Sequence, residues 1–79
     1  MITLGVYTDG VAITPSDTVD LARVTDAVWV GGAGIVVAVW PSGKTVNVTC
    51  VAGQLLPIRV KRVNATATTA TLLVALYQV

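Results

Sequence analysis

Lys44-Thr45-Val46-Asn47-Val48-Thr49-Cys50-Val51 is the stretch that decides the fold. Its apolar residues, Val46, Val48 and Cys50, alternate with polar Thr45, Asn47 and Thr49. A period of two sends the two sets to opposite faces of a pleated strand. Pro41-Ser42-Gly43 before it and Ala52-Gly53-Gln54 after it carry turn chemistry. Beyond these turns the pattern repeats. Residues 27–30 and 35–40 read as strands joined at Gly31-Gly32-Ala33-Gly34, taken as a hairpin turn. Residues 56–61 alternate again, with Leu56, Ile58 and Val60 inward and Pro57, Arg59 and Lys61 outward. Arg62-Val63 breaks that phase, as a bulge or a strand end would.

The two ends of the chain fit the same scheme. Residues 1–12 form an N-terminal strand segment available to a partner. Within it residues 2–7 are β-prone, and Thr8-Asp9-Gly10 supplies a turn. Residues 11–14 follow as a strand stopped by Pro15. Residues 16–26 hold the one candidate for a short helical turn, capped by Ser16 or Asp17. Residues 65–71 alternate Ala and Thr, which suits a flat strand or an ordered loop packed closely on something. The last strand, residues 71–79, is apolar on both faces. Leu73, Ala75, Tyr77 and Val79 fall on one face, and Leu72, Val74 and Leu76 on the other. Sixteen valines and eleven threonines agree with β-structure throughout. The expectation is a single all-β domain over residues 1–79, a small antiparallel β-barrel or β-sandwich of about six to eight short strands.

Composition says what such a domain needs. Of the 79 residues, 54% are hydrophobic and 11% charged, against roughly 25% charged in ordinary domains. So small a domain cannot bury all of that apolar surface within one copy. A strand apolar on both faces points to a neighbouring subunit. A membrane span is the weaker alternative. The charge-free run over residues 27–43 is shorter than the roughly 20 residues a spanning helix needs, and glycines interrupt it. The first ten residues lack the basic start and long apolar core of a signal peptide.

Catalytic parts are missing. There is no histidine, and Cys50 is the only cysteine, set in an apolar alternation. That excludes an internal disulfide and a Cys/His zinc site, and it suits a reducing compartment. Asp9, Asp17, Asp20 and Asp26 sit in turn-rich contexts, where aspartate caps and turns the chain. Gly32-Ala33-Gly34 is followed by a strand and not by the helix a phosphate loop requires. No cofactor or metal is expected. Arg59, Lys61 and Arg62 with Trp29, Trp40, Tyr7 and Tyr77 resemble parts of a single-strand nucleic-acid platform. A net charge of +1 is low for that role. Two glycosylation sequons, at Asn47 and Asn64, are chance matches in a Thr-rich chain. The charges are also sorted. The four aspartates and Arg23 occupy the first third, and Lys44, Arg59, Lys61 and Arg62 the remainder. The two groups face each other either within a subunit or between copies head to tail.

Three blocks carry a resemblance. They are Ile13-Thr14-Pro15-Ser16-Asp17-Thr18-Val19-Asp20-Leu21-Ala22-Arg23, Ala27-Val28-Trp29-Val30-Gly31-Gly32-Ala33-Gly34, and Gly53-Gln54-Leu55-Leu56-Pro57-Ile58-Arg59-Val60-Lys61-Arg62-Val63-Asn64-Ala65-Thr66-Ala67-Thr68-Thr69-Ala70. In order and spacing they resemble the small spike base protein on the heads of tailed bacteriophages and of gene transfer agents. Two departures stand out. Ala67 stands where that family often has glycine, and the segment before Ile13 is short.

The resemblance implies a non-enzymatic virion protein on the capsid surface, assembled in the bacterial cytoplasm. It implies a homo-oligomeric ring, a pentamer before a trimer, that contacts the major capsid protein and seats a head fibre or spike. A capsid cement or decoration protein is the alternative. By analogy, Arg23 and the basic run Arg59, Lys61 and Arg62 lie near subunit or capsid contacts. So do Leu72, Val74, Leu76 and Tyr77 of the last strand.

Overall fold

The computed structural model describes residues 7–78. Seven strands are found among them: β1 (Asp9–Ala12), β2 (Ala27–Gly32), β3 (Gly34–Val39), β4 (Thr45–Cys50), β5 (Gln54–Leu56), β6 (Arg62–Val63) and β7 (Thr71–Tyr77). They form two antiparallel sheets. Sheet A runs β1-β7-β2-β5 and sheet B runs β4-β3-β6. The sheets face each other as a sandwich and do not close into a barrel. Val28, Val30, Leu73 and Ala75 of sheet A meet Val36, Ala38, Cys50 and Val63 of sheet B in one core. All of these are buried.

The strands with a clean period of two lie where the sequence places them. β3 and β4 form a hairpin around Pro41-Ser42-Gly43, closed by Trp40 N–H to Lys44 C=O at 2.8 Å. β7 points Leu73, Ala75 and Tyr77 into the core and Leu72, Val74 and Leu76 away from it. Val46 takes the inner side of β4 opposite buried Ala38, yet it stays 46% exposed because β4 is an edge.

Four expectations are corrected. The Gly31-Gly32-Ala33-Gly34 cluster is not a hairpin turn, because β2 and β3 belong to different sheets. It is a corner where the chain leaves one layer for the other, crossing residues 69–72. A Cβ on Gly34 would lie 2.5 Å from Ala70 N, and its φ of 152° is outside the range side chains favour. Close backbone crossing is what the glycines permit.

Residues 57–60 are not strand. After β5, Pro57 sits in a tight turn with Ile58 N–H on Leu56 C=O at 2.8 Å, and the chain crosses to sheet B. The inward order Leu56, Ile58, Val60 holds without a partner strand. The phase break at Arg62-Val63 is the start of β6 beside β3.

Residues 16–26 contain no helix. Ser16 Oγ accepts the N–H groups of Thr18 and Val19 at 3.3 and 3.0 Å, a cap closing a turn only. The segment then lies along the β6 side of sheet B. Ser16, Leu21 and Thr25 donate backbone bonds to Val63, Lys61 and Val60.

Asp9-Gly10 is the start of β1 and not a turn. The strand expected over residues 2–7 falls outside the described residues except for Tyr7, which precedes β1.

The Ala/Thr run packs closely, as expected. Thr68 and Thr69 hydroxyls accept the N–H groups of Val37 and Ile35 at 3.0 and 2.8 Å. They serve β3 where β6 has ended. Ala67 adopts a φ of 69°, the left-handed region that glycine occupies freely. That is the position where the resembling family often carries glycine.

Candidate interaction surface

Cross-strand partners share a face of a sheet. Ala12, Val74, Trp29 and Leu55 therefore form one apolar row across the four strands of sheet A, on the side away from the core. Leu72 and Leu76 flank Val74 on the same face of β7. Trp29 is 41% exposed and Leu72 is 77% exposed. An aromatic and a γ-branched side chain thus leave apolar surface open to solvent on this face.

Leu72 is held out at a conformational cost. Its φ is 55°, unusual for a bulky residue. Its neighbours Thr71 and Leu73 pair with Gly32 and Val30. Opposite Leu72 stands Gly31, where a Cβ would come within 2.7 Å of Leu72 Cβ. The backbones approach too closely for a side chain at 31, and Leu72 is turned to solvent. Left-handed backbone costs roughly 1–2 kcal/mol for an L-residue.

Charged residues gather at the end of sheet A where β2 starts and β7 ends. Asp26 Oδ2 accepts the Gln78 N–H at 2.7 Å, and Asp26 Oδ1 lies 3.7 Å from Arg59 Nη2. The Arg23 guanidinium stacks 4.5 Å from the Tyr77 ring centroid, and the Tyr77 hydroxyl donates to the Arg23 carbonyl at 3.4 Å. Arg62 is held elsewhere, on Asp20 at 2.9 Å and Asn64 at 3.1 Å. Asp20 and Asp26 of the first third thus meet Arg62 and Arg59 of the remainder within one subunit, while Asp9 and Lys44 form no ion pair among the described residues. Arg59 and Arg62 are both paired, and Lys61 forms no ion pair among the described residues. This further weakens a phosphate-binding surface.

Of the eight candidate contact residues, Leu72, Val74 and Leu76 share one face, and Arg23 and Arg59 lie at its end. Arg62 and Lys61 belong to the β6 side. Tyr77 is in the core, 4% exposed. Trp29 joins the apolar row although the sequence reading weighs it only as a stacking group. Its position between inward Val28 and Val30 was the signal for its outward face.

The remaining polar groups serve the fold. The Asp17 carboxylate accepts the Thr66 hydroxyl at 2.6 Å and the Thr66 N–H at 2.9 Å. These bonds, the hydroxyl's first, hold its pKa below the usual carboxylate value. Cys50 is buried, which raises its thiol pKa, and its S–H is directed at the Val48 carbonyl at 3.5 Å. No three His, Cys, Asp or Glu side chains among the described residues come together as a metal site.

No family model and no curated protein match the sequence. Among solved structures, a chain of the "Capsid of native GTA particle computed with C5 symmetry" shares the fold with a TM-score of 0.86. GTA denotes a gene transfer agent. The two chains are 42% identical over 96% of this chain and 90% of that one. Identity of that size across both chains reflects common descent and not architecture alone. The protein therefore belongs to the same family as this gene transfer agent capsid chain.

Proposed function

We propose that this capsid-related structural protein is a non-enzymatic head spike base, an oligomeric ring on the exterior of a phage-type capsid that anchors a fibre. The observation that carries the reading is the uncovered apolar face of sheet A, with Leu72 held outward against backbone preference. In a chain related to a capsid component, such a face is an assembly surface. The outer row would seat on the major capsid protein, with Arg23 and Arg59 at its margins. That the related chain is part of a gene transfer agent capsid supports a place on such a particle.

Native mass spectrometry of the purified chain tests this. A pentamer supports the vertex base. A trimer favours a cement protein at capsomer junctions. A chain that binds single-stranded nucleic acid in a salt-dependent way and does not assemble overturns both.

A further inference from the structure

Sheet edges are normally protected by charge, proline, bulges or covering segments. Two of the four edges here have such cover. β5 is three residues long and runs into Pro57, and β6 is lined by residues 16–25. Among the described residues, β1 and β4 have a sheet neighbour on one side only. β4 is six residues long, carries no charge or proline, and pairs with β3 in unbroken register.

Both open edges leave a core-facing valine uncovered. Val11 pairs with Ala75, which is buried, yet Val11 is 54% exposed. Val46 pairs with buried Ala38 and is exposed as well. Each edge also carries an exposed charge without an opposite partner among the described residues. Asp9 stands two residues before Val11, and Lys44 two residues before Val46.

The edges lie on opposite sides of the sandwich. Val51 N–H bonds Gln54 Oε1 at 2.9 Å, bringing the end of β4 beside β5, the edge of sheet A farthest from β1. The chain after β1 goes instead to β6, through Ser16 N–H on Val63 C=O. An open edge on each side, unlike in sequence and opposite in charge, suits a heterologous contact, which forms a ring where the rotation between copies closes.

From this we infer that β1 of one subunit pairs edge to edge with β4 of the next copy, in parallel, with Asp9 beside Lys44 and Val11 beside Val46. The equal spacing of charge and valine on the two strands sets both the direction and the register. Main-chain bonds across the edge give affinity, and the valine pair closes the core that each subunit leaves open. This rests on the ring reading above and names its interface.

The test combines Val11→Cys and Val46→Cys, alone and together, with a short bismaleimide cross-linker and native mass spectrometry of the same samples. All four positions involved are exposed, and buried Cys50 with its raised thiol pKa gives little background. The double variant is expected to yield a covalent ladder ending at the ring size, and the single variants only monomers. Asp9→Lys is expected to weaken association at least about tenfold through like-charge contact with Lys44, and Lys44→Asp in the same chain to restore it. An assembled ring without the ladder overturns the pairing and leaves the ring standing. Covalent dimers from Val46→Cys alone overturn it in favour of a β4–β4 contact. A ladder without charge rescue overturns the stated register. A chain that stays monomeric at every concentration overturns both the pairing and the ring.

Discussion

Thr25 and Val60 lie 35 positions apart in the chain and bond each other twice. Thr25 N–H donates to the Val60 carbonyl at 3.0 Å, and Val60 N–H donates to Thr25 Oγ1 at 3.0 Å. The same hydroxyl donates to the Ile58 carbonyl at 3.0 Å. One buried threonine thus supplies the hydrogen bonds that a partner strand would give to residues 58–60. Thr25→Val keeps the shape and removes both bonds. It leaves a buried N–H and a carbonyl unpaired, and should destabilise by about 1–3 kcal/mol. Denaturant unfolding at fixed protein concentration measures this.

Ala67 and Gly34 should respond in opposite directions. Ala67→Gly relieves the left-handed backbone, roughly 1–2 kcal/mol. It returns part of that, about 0.4–1 kcal/mol, as unfolded-chain entropy. A net gain of about 0.5–1 kcal/mol is expected. Gly34→Ala instead places a Cβ against the Ala70 backbone and should destabilise strongly. Thermal unfolding of the pair provides the contrast. Equal and opposite signs reversed from these would show that the corner is not built as described.

Asp17 gives a pH dependence. Its folded pKa is depressed by the Thr66 hydroxyl and amide, so the carboxylate form is favoured by folding. The resulting stability is fully present above the unfolded value of 3.8 and is lost as pH falls through the lower folded value. Asp17→Asn should lower stability at neutral pH and flatten its decline in acid. Urea midpoints at neutral pH and across the acid range measure both changes. An unchanged acid slope would sink the assignment.

Leu72→Asn separates folding from assembly. Asparagine tolerates a positive φ better than leucine, so the subunit should keep or slightly gain stability. Removing a leucine that becomes buried in an interface costs about 1.5–3 kcal/mol of association, at least tenfold in affinity. Co-sedimentation with capsids reads the loss, and unfolding reads the subunit. A loss of both together would make Leu72 a folding residue.

Much of this arrangement is legible in the sequence, with one kind of gap. Alternation shows which way a side chain faces, so the two faces of β7 and the inward set Leu56, Ile58, Val60 are read correctly. It does not show which neighbour fills the hydrogen bonds. Residues 57–60 therefore look like a strand although Thr25 takes the partner's place. Gly31 and Gly34 look like a turn because glycine allows either a tight reversal or a close crossing, and only contact with residues 69–72 distinguishes them. Asp9-Gly10 is pulled into β1 by pairing with Tyr77 and Leu76, a long-range effect that overrides the local turn preference. At the candidate surface, the outward apolar row of β7 is visible in the pattern. Its continuation through Trp29 and Leu55 depends on register, which the pattern leaves open.

β7 follows the other described strands in chain order and sits between β1 and β2 in sheet A. During synthesis neither β1 nor β2 has the neighbour to which both bond until β7 has emerged. Copies cut short before it cannot form the face that β7 carries. The fold thereby checks its own synthesis, since only copies that include β7 complete sheet A and its outward apolar row.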